Sequence, residues 1–247
     1  MNFFSLLKRK IIYKIKKKIN IDNELLKNKS LDELFHHYGS DKANIFKLSG
    51  DHGHGFSKFY SRKLKEFKDK KINILEIGSY AGASAAAFNK YFPLSEIFCF
   101  DINISKFKFT SKKIHVFGLD INNLSKVKKN LRNIHEKYIV NNFDLIIDDG
   151  SHDLKDILVN LKTFFKYLKK NGLYVIEDFK HPNYYIRNRN IEHILIDELI
   201  KNLENKFISN STILTEDEQE FLIKNIDSIE IFKGNLEDSD ICFIKKK

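Results

Sequence analysis

The sequence predicts an α/β fold: a doubly wound, mostly parallel seven-stranded sheet with an antiparallel last strand and an N-terminal helical extension. Three observations carry this reading. From residue 72 onward, short β-branched runs alternate with helix-length amphipathic stretches. The runs are almost continuously apolar, as strands of a parallel sheet covered on both faces must be. At 247 residues and 42% hydrophobic content, the chain has enough apolar side chains to bury such a core.

Residues 3–19 read as an amphipathic helix, in which Phe3, Leu7, Ile11, Ile15 and Ile19 recur at every fourth position and Phe4 and Ile12 widen the stripe. Lys8, Arg9, Lys10, Lys14, Lys16, Lys17 and Lys18 supply the other face. Ser30-Leu-Asp-Glu33 has the form of a capping box that opens a short helix to about His37. A Gly- and His-rich loop spans 38–56, and a helix follows over 57–67. The strand candidates are 72–77, 96–100, 114–118, 143–148, 172–177, 227–232 and 240–245. Helices are expected between them at 83–91, 124–137, 153–169, 191–205 and 216–225, the last opened by the capping box Thr215-Glu-Asp-Glu218. The linker Gly-Asn-Leu-Glu-Asp-Ser-Asp is short enough for a hairpin, which makes the last strand antiparallel. Three regions result: a basic arm over 1–30, a helical lid region over 31–70 and the main domain over 71–247.

Forty-three basic against 33 acidic side chains leave a net +10, which by itself suggests an anionic partner. The charge is unevenly spread. Residues 1–30 hold nine basic and two acidic side chains, a net +7, so the remaining body is only +3. The arm suits the surface of an anionic leaflet. A helix that packs its stripe on the domain or on another subunit explains the same pattern. Cys99 and Cys242 lie far apart in apolar runs, which predicts reduced, buried thiols and a cytoplasmic protein. No apolar run approaches the ~20 residues that span a bilayer, and lysines interrupt the N-terminus before a signal-peptide core can form.

In a doubly wound sheet, ligands bind beyond the carboxyl ends of the strands. The first such turn is Glu76-Ile-Gly78-Ser79-Tyr-Ala-Gly82-Ala-Ser84. Tyr80 occupies the position where a dinucleotide fingerprint needs its second glycine, which argues against an oxidoreductase. The pattern E-x-G-x-x-x-G instead resembles the first motif of class I S-adenosylmethionine-dependent methyltransferases. Asp101, at the end of the second strand, can accept both ribose hydroxyls, and Asp120 follows the third strand where the class faces the adenine amino group. Either aspartate alone could be a helix cap, but three features in register at successive strand ends are not explained by capping.

The fourth strand ends in Asp148-Asp149-Gly150-Ser151-His152 and the fifth in Glu177-Asp178. On neighbouring strands, ~4.8 Å apart, these carboxylates crowd one edge of the sheet, and a cation or bound protons must compensate such crowding. Oxygen donors without cysteine favour Mg²⁺ or a similar hard divalent ion over zinc. The motifs Ile-Asp-Asp-Gly-Ser-His and Tyr-Val-Ile-Glu-Asp resemble the metal-dependent sugar O-methyltransferases of macrolide biosynthesis, of the macrocin and mycinamicin type. Their relatives include rhamnosyl O-methyltransferases and cephalosporin hydroxylases. Tyr38-Gly-Ser-Asp-Lys42 and His54-Gly-Phe-Ser-Lys-Phe-Tyr60 are similar to further motifs of that family, so the resemblance runs from about residue 36 to 180.

The resemblance implies a Rossmann-like methyltransferase fold and an enzyme that moves a methyl group from S-adenosylmethionine to a sugar hydroxyl of a glycan, glycolipid or glycosylated natural product. It makes Asp149, Glu177 and Asp178 the metal ligands and His152 the general base. Glu76, Gly78, Ser79, Gly82, Ser84, Asp101, Asp120 and Asp148 become the cofactor-binding set. A neutral imidazole can take the proton of a hydroxyl that a cation has acidified. Homo-oligomers occur among these relatives. His36, His37, His115, His135, His181 and His193 read as surface or structural residues. His52 and His54 read as part of a loop over cofactor or substrate, and His181 with Tyr184, Tyr185 and Arg187 as lining of the acceptor pocket. The rival is an RNA or other polyanion-binding methyltransferase anchored by the basic arm. The arm has no Arg/aromatic recognition module, and an acidic cluster not filled by metal repels phosphate, so nucleic acid is disfavoured. The hydroxylase chemistry of some relatives lacks its facial triad here.

Overall fold

The computed structural model describes residues 3–26, 28–189 and 194–247, with the side chain of Phe3 outside the described set. The chain divides into two compact units, residues 1–141 with 234–236 and residues 142–233 with 237–247. The first unit begins with α1 (Phe3–Ile15), β1 (Ile19–Asn20), α2 (Leu31–Tyr38) and α3 (Ser57–Lys63). It continues with β2 (Asn73–Ile77), α4 (Ala83–Tyr91), β3 (Glu96–Asp101), β4 (Phe109–Thr110), β5 (Ile114–Gly118) and α5 (Leu124–Tyr138). The second unit holds β6 (Phe143–Asp148), α6 (Leu154–Phe164), β7 (Leu168–Glu177), α7 (His181–Tyr184), α8 (Ile196–Glu204), α9 (Glu216–Asn225), β8 (Ile226–Lys233) and β9 (Asp240–Lys246).

Seven strands form one sheet in the order β5-β3-β2-β6-β7-β9-β8. The pairs β2 with β3, β3 with β5 and β6 with β7 are parallel, while β9 runs antiparallel to β7 and β8. This is the doubly wound order with one reversed strand that the hairpin linker predicts. A separate two-stranded parallel pair joins Ile19–Asn20 to Phe109–Thr110, ending the first helix at Ile15 rather than at residue 19. Both capping boxes form, Ser30 with Glu33 and Thr215 with Glu218. Cys99 and Cys242 are buried free thiols, and among the described residues no helix is long and apolar enough to cross a membrane.

Local chemistry explains how the layers close. Ala85, Ala86 and Ala87 of α4 are fully buried; their short side chains let a helix lie close against a strand layer. On its other side Phe88 meets Phe35 of α2 at 5.2 Å and Tyr60 of α3 at 5.3 Å between ring centroids. The helix expected over 153–169 is shorter. It ends at Phe164, passes through a 3-10 turn and gives way to β7 at Leu168, which pairs with Phe143 before a register shift. Lys-Lys-Asn171-Gly172 has the composition of a helix C-terminus, but Asn171 takes a positive φ inside a strand. Residues 190–193, the start of the helix expected at 191–205, and with them His193, lie outside the described residues.

Candidate active site

In the first unit the site is built on the turn between β2 and α4. Gly78 (φ +88) donates its N–H to Phe100 O at 2.8 Å, continuing the β2–β3 ladder past the strand end. Tyr80 is forced to φ +41, and its N–H donates to Asp101 Oδ2 at 2.7 Å. Gly82 (φ +76) caps α4, and a Cβ there would stand 2.4 Å from the ring of Phe107. Gly82→Ala is therefore expected to cost roughly 2–3 kcal/mol from the left-handed backbone and the ring clash together, seen as a lower Tm in a thermal melt.

Glu76 is buried beneath this turn and accepts a hydrogen bond from Ser84 Oγ, while Ser79 Oγ donates to Glu76 O at 3.4 Å. Glu76, Ser79, Gly82 and Ser84 thus form one braced loop, joined through Tyr80 to Asp101. Asp101 pairs in register with Gly118. Asp120 therefore leaves the adjacent strand end, where its Oδ1 accepts the N–H of Asn122 at 3.1 Å. The acids read from the sequence as ribose and adenine contacts therefore lie at neighbouring strand ends.

In the second unit Asp148 pairs with Ile176, so Asp149 and the pair Glu177-Asp178 leave the sheet at the same end of adjacent strands. One ligand atom each from Asp149, His152 and Asp178 lies within 4.8 Å of the others. His152 Nε2 stands 3.7 Å from Asp149 Oδ1. His152 (φ +55) and Asp178 (φ +48) both hold left-handed backbone conformations. Such strain persists only where surrounding structure imposes it, and it concentrates at functional sites. The two carboxylates, with no thiolate beside them, suit a hard divalent ion. Glu177, buried at the last position of β7, is not in that group of three.

Asp148 turns away from this group. Its buried carboxylate accepts hydrogen bonds from Asn160 Nδ2 of α6 at 3.0 and 3.1 Å. Burial, reinforced by Asp149 and Asp156 and opposed by Asn160, pushes its pKa up to about 8. Asp148 is then largely protonated at neutral pH and adds little negative charge beside Asp149. Because the folded value is raised, stability falls as pH climbs from the ordinary carboxylate range toward about 8. Asn160→Ala removes both donors, costing about 2 kcal/mol near neutral pH and extending the fall above pH 8. Melts across pH in EDTA, compared with wild type, check both effects.

His181, which the sequence alone marks as surface, structural or pocket lining, lies beside the base candidate, 5.5 Å from the ring of His152 and 4.2 Å from that of Tyr185. Burial first and then His152 hold its pKa below the ordinary value. Asn188 Nδ2 lies 2.7 Å from His181 Nδ1 and 3.4 Å from His152 O; no sequence motif singles Asn188 out. Tyr184 and Tyr185 anchor the same segment by donating to Asp240 Oδ2 at 2.8 Å and Asp238 Oδ2 at 3.0 Å. His54 takes another path: its N–H donates to Asp41 O at 2.7 Å and its O accepts Asn235 N–H at 2.9 Å. His52 and His54 join no metal-type cluster among the described residues.

Residues 75–179 match the family described as a methyltransferase domain. Mycinamicin VI 2''-O-methyltransferase of Micromonospora griseorubida is 28% identical over 157 residues, 57% of this chain and 37% of that protein. L-olivosyl-oleandolide 3-O-methyltransferase of Streptomyces antibioticus is 32% identical over 159 residues, 60% of this chain and 36% of that protein. The chain thus spans little more than a third of these relatives' length. A solved structure of the MycE methyltransferase of the mycinamycin pathway, in complex with Mg, SAH and mycinamycin VI, superposes with a TM-score of 0.68 at 20% identity. It covers 89% of this chain and 55% of its own, and it establishes a Rossmann-like methyltransferase fold.

Proposed function

We propose that this protein is an S-adenosylmethionine-dependent, Mg²⁺-assisted O-methyltransferase acting on a sugar hydroxyl of a glycan, glycolipid or glycosylated natural product. The observation that carries the reading is the convergence of Asp149, His152 and Asp178 at the ends of adjacent strands. The named relatives, which methylate sugar hydroxyls of glycosylated macrolides, support the acceptor class. The enzyme works in the cytoplasm, with residues 1–19 as its peripheral contact with the inner membrane surface.

The braced loop over Gly78–Ser84 lets the backbone approach the methyl donor, and Asp101 and Asp120 hold the nucleoside end. S-adenosylmethionine supplies a methyl group already activated on sulfonium, so positioning provides much of the rate. Asp149 and Asp178 would hold the cation, with Glu177, the neighbour of Asp178, as a third candidate carboxylate. A hard divalent ion there would lower the pKa of a bound hydroxyl. His152 then takes the hydroxyl proton on Nε2, and Asp149, 3.7 Å away, steadies the resulting imidazolium. The polyanion-binding alternative is not favoured, because the similar proteins are O-methyltransferases of mycinamicin VI and of L-olivosyl-oleandolide, and the basic arm has no Arg/aromatic recognition module. Isothermal titration with S-adenosylmethionine tests the reading: saturable binding is expected, and no binding with or without Mg²⁺ would overturn it.

A further inference from the structure

The stripe that the sequence makes apolar is not the face by which α1 meets the fold. With about 100° between successive residues, Leu6, Arg9 and Tyr13 share one side of α1, and Lys16 follows just past its end. Leu6 is buried, Arg9 donates to Ile102 O at 3.0 Å, Lys16 Nζ donates to Ser105 O at 3.3 Å, and Tyr13 meets Phe107 edge-on at 6.4 Å. The helix is therefore fastened by a largely polar face to the segment just after Asp101. The opposite side carries Leu7, Ile11 and Ile15, which are 44%, 51% and 78% exposed, with Phe4, 74% exposed, at the amino end. Lys8 and Lys14 flank the stripe on its two sides, and Lys10 and Lys17 are also exposed. No acidic side chain occurs before Asp22.

We propose that α1 is an in-plane anchor whose Leu7–Ile11–Ile15 stripe enters the headgroup and upper acyl region of an anionic lipid leaflet. This deepens the membrane contact proposed above by assigning the face and the lipid class. The lysines bordering the stripe meet lipid phosphates while the aliphatic side chains leave water. Charge selects this occupant over a second copy of the chain, because stripe-to-stripe docking would bring Lys8 and Lys14 against the same lysines of its partner. The back face ties the anchor to the loop that follows Asp101, so a bound leaflet stands at a fixed place relative to the nucleoside end of the site. An acceptor sugar carried on a lipid suits that arrangement.

Co-sedimentation of the full chain with vesicles of mixed phosphatidylglycerol and phosphatidylcholine, against phosphatidylcholine alone, tests the anchor. Wild type is expected to bind the anionic vesicles at least tenfold more tightly than the neutral ones. Leu7→Ser/Ile11→Ser/Ile15→Ser is expected to lose at least tenfold, and Lys8→Glu/Lys14→Glu to lose the preference for anionic lipid. Both variants should keep wild-type Tm and wild-type titration with S-adenosylmethionine, since none of these residues faces the fold. Anionic-vesicle binding by the triple variant equal to wild type, or no binding by wild type, would overturn the proposal. So would a wild-type dimer in sedimentation equilibrium that the triple variant loses. Retained cofactor binding alongside any of these would leave the methyltransferase reading standing.

Discussion

Replacing His152 with alanine is expected to lower methyl transfer by roughly 10²–10⁴-fold, the usual contribution of a positioned general base, while affinity for S-adenosylmethionine stays at the wild-type value. The separation of effects follows from the contacts each group makes. His152 stands beside Asp149, whereas the Gly78–Ser84 loop is braced by Glu76, Ser79, Ser84 and Asp101. The left-handed backbone at His152 adds a structural check. His152→Asn, which tolerates positive φ, should fold as well as wild type and be as inactive as the alanine variant. Single-turnover rates and cofactor titration on the same preparations measure both quantities. Full turnover in either variant would remove His152 from the mechanism.

Asp178→Asn is expected to abolish Mg²⁺ stimulation and to bring wild-type activity down to that of an EDTA-treated sample. Several kcal/mol of assistance to hydroxyl ionisation is at stake, which at ~1.4 kcal/mol per tenfold is on the order of a hundredfold or more. The substitution conserves volume and suits φ +48, so loss of folding does not confound it. Only the charge that holds the cation is removed. Rates measured against free Mg²⁺ check the effect: wild type saturates, and the variant responds weakly at any concentration. A variant with the wild-type Mg²⁺ profile would mean that Asp178 does not ligate the ion.

Much of this architecture can be read from residue order because its strands are short apolar runs and its site residues sit where strands stop. Asp101, Asp120 and Asp149 are each the last residue of an apolar run or just past one, Glu76 is the next to last of its run, and the structure sets all four at the corresponding strand ends. What could not be read depends on tertiary partners. Asp148 and Asp149 are indistinguishable as neighbours in a motif; only the position of Asn160, 12 residues on, turns one into the helix layer. His181 and Asn188 reach His152 because Tyr184 and Tyr185 tie their segment to Asp240 and Asp238, more than 50 residues away. The end of α6 was obscured by Lys-Lys-Asn-Gly, which reads as a helix terminus but lies within β7. The apolar stripe of α1 is plain in the sequence, while its outward direction is set by Arg9 and Lys16 binding carbonyls of residues 102 and 105.

The proposed mechanism requires a divalent cation between the ends of β6 and β7. Titration of free Mn²⁺, a hard ion in Mg²⁺'s role, followed by electron paramagnetic resonance, measures that site without knowledge of the acceptor. Wild type is predicted to bind a single Mn²⁺ that Mg²⁺ displaces, and Asp149→Asn/Asp178→Asn to leave the ion free in solution. Undiminished Mn²⁺ binding by the double variant, or none by wild type, would contradict it.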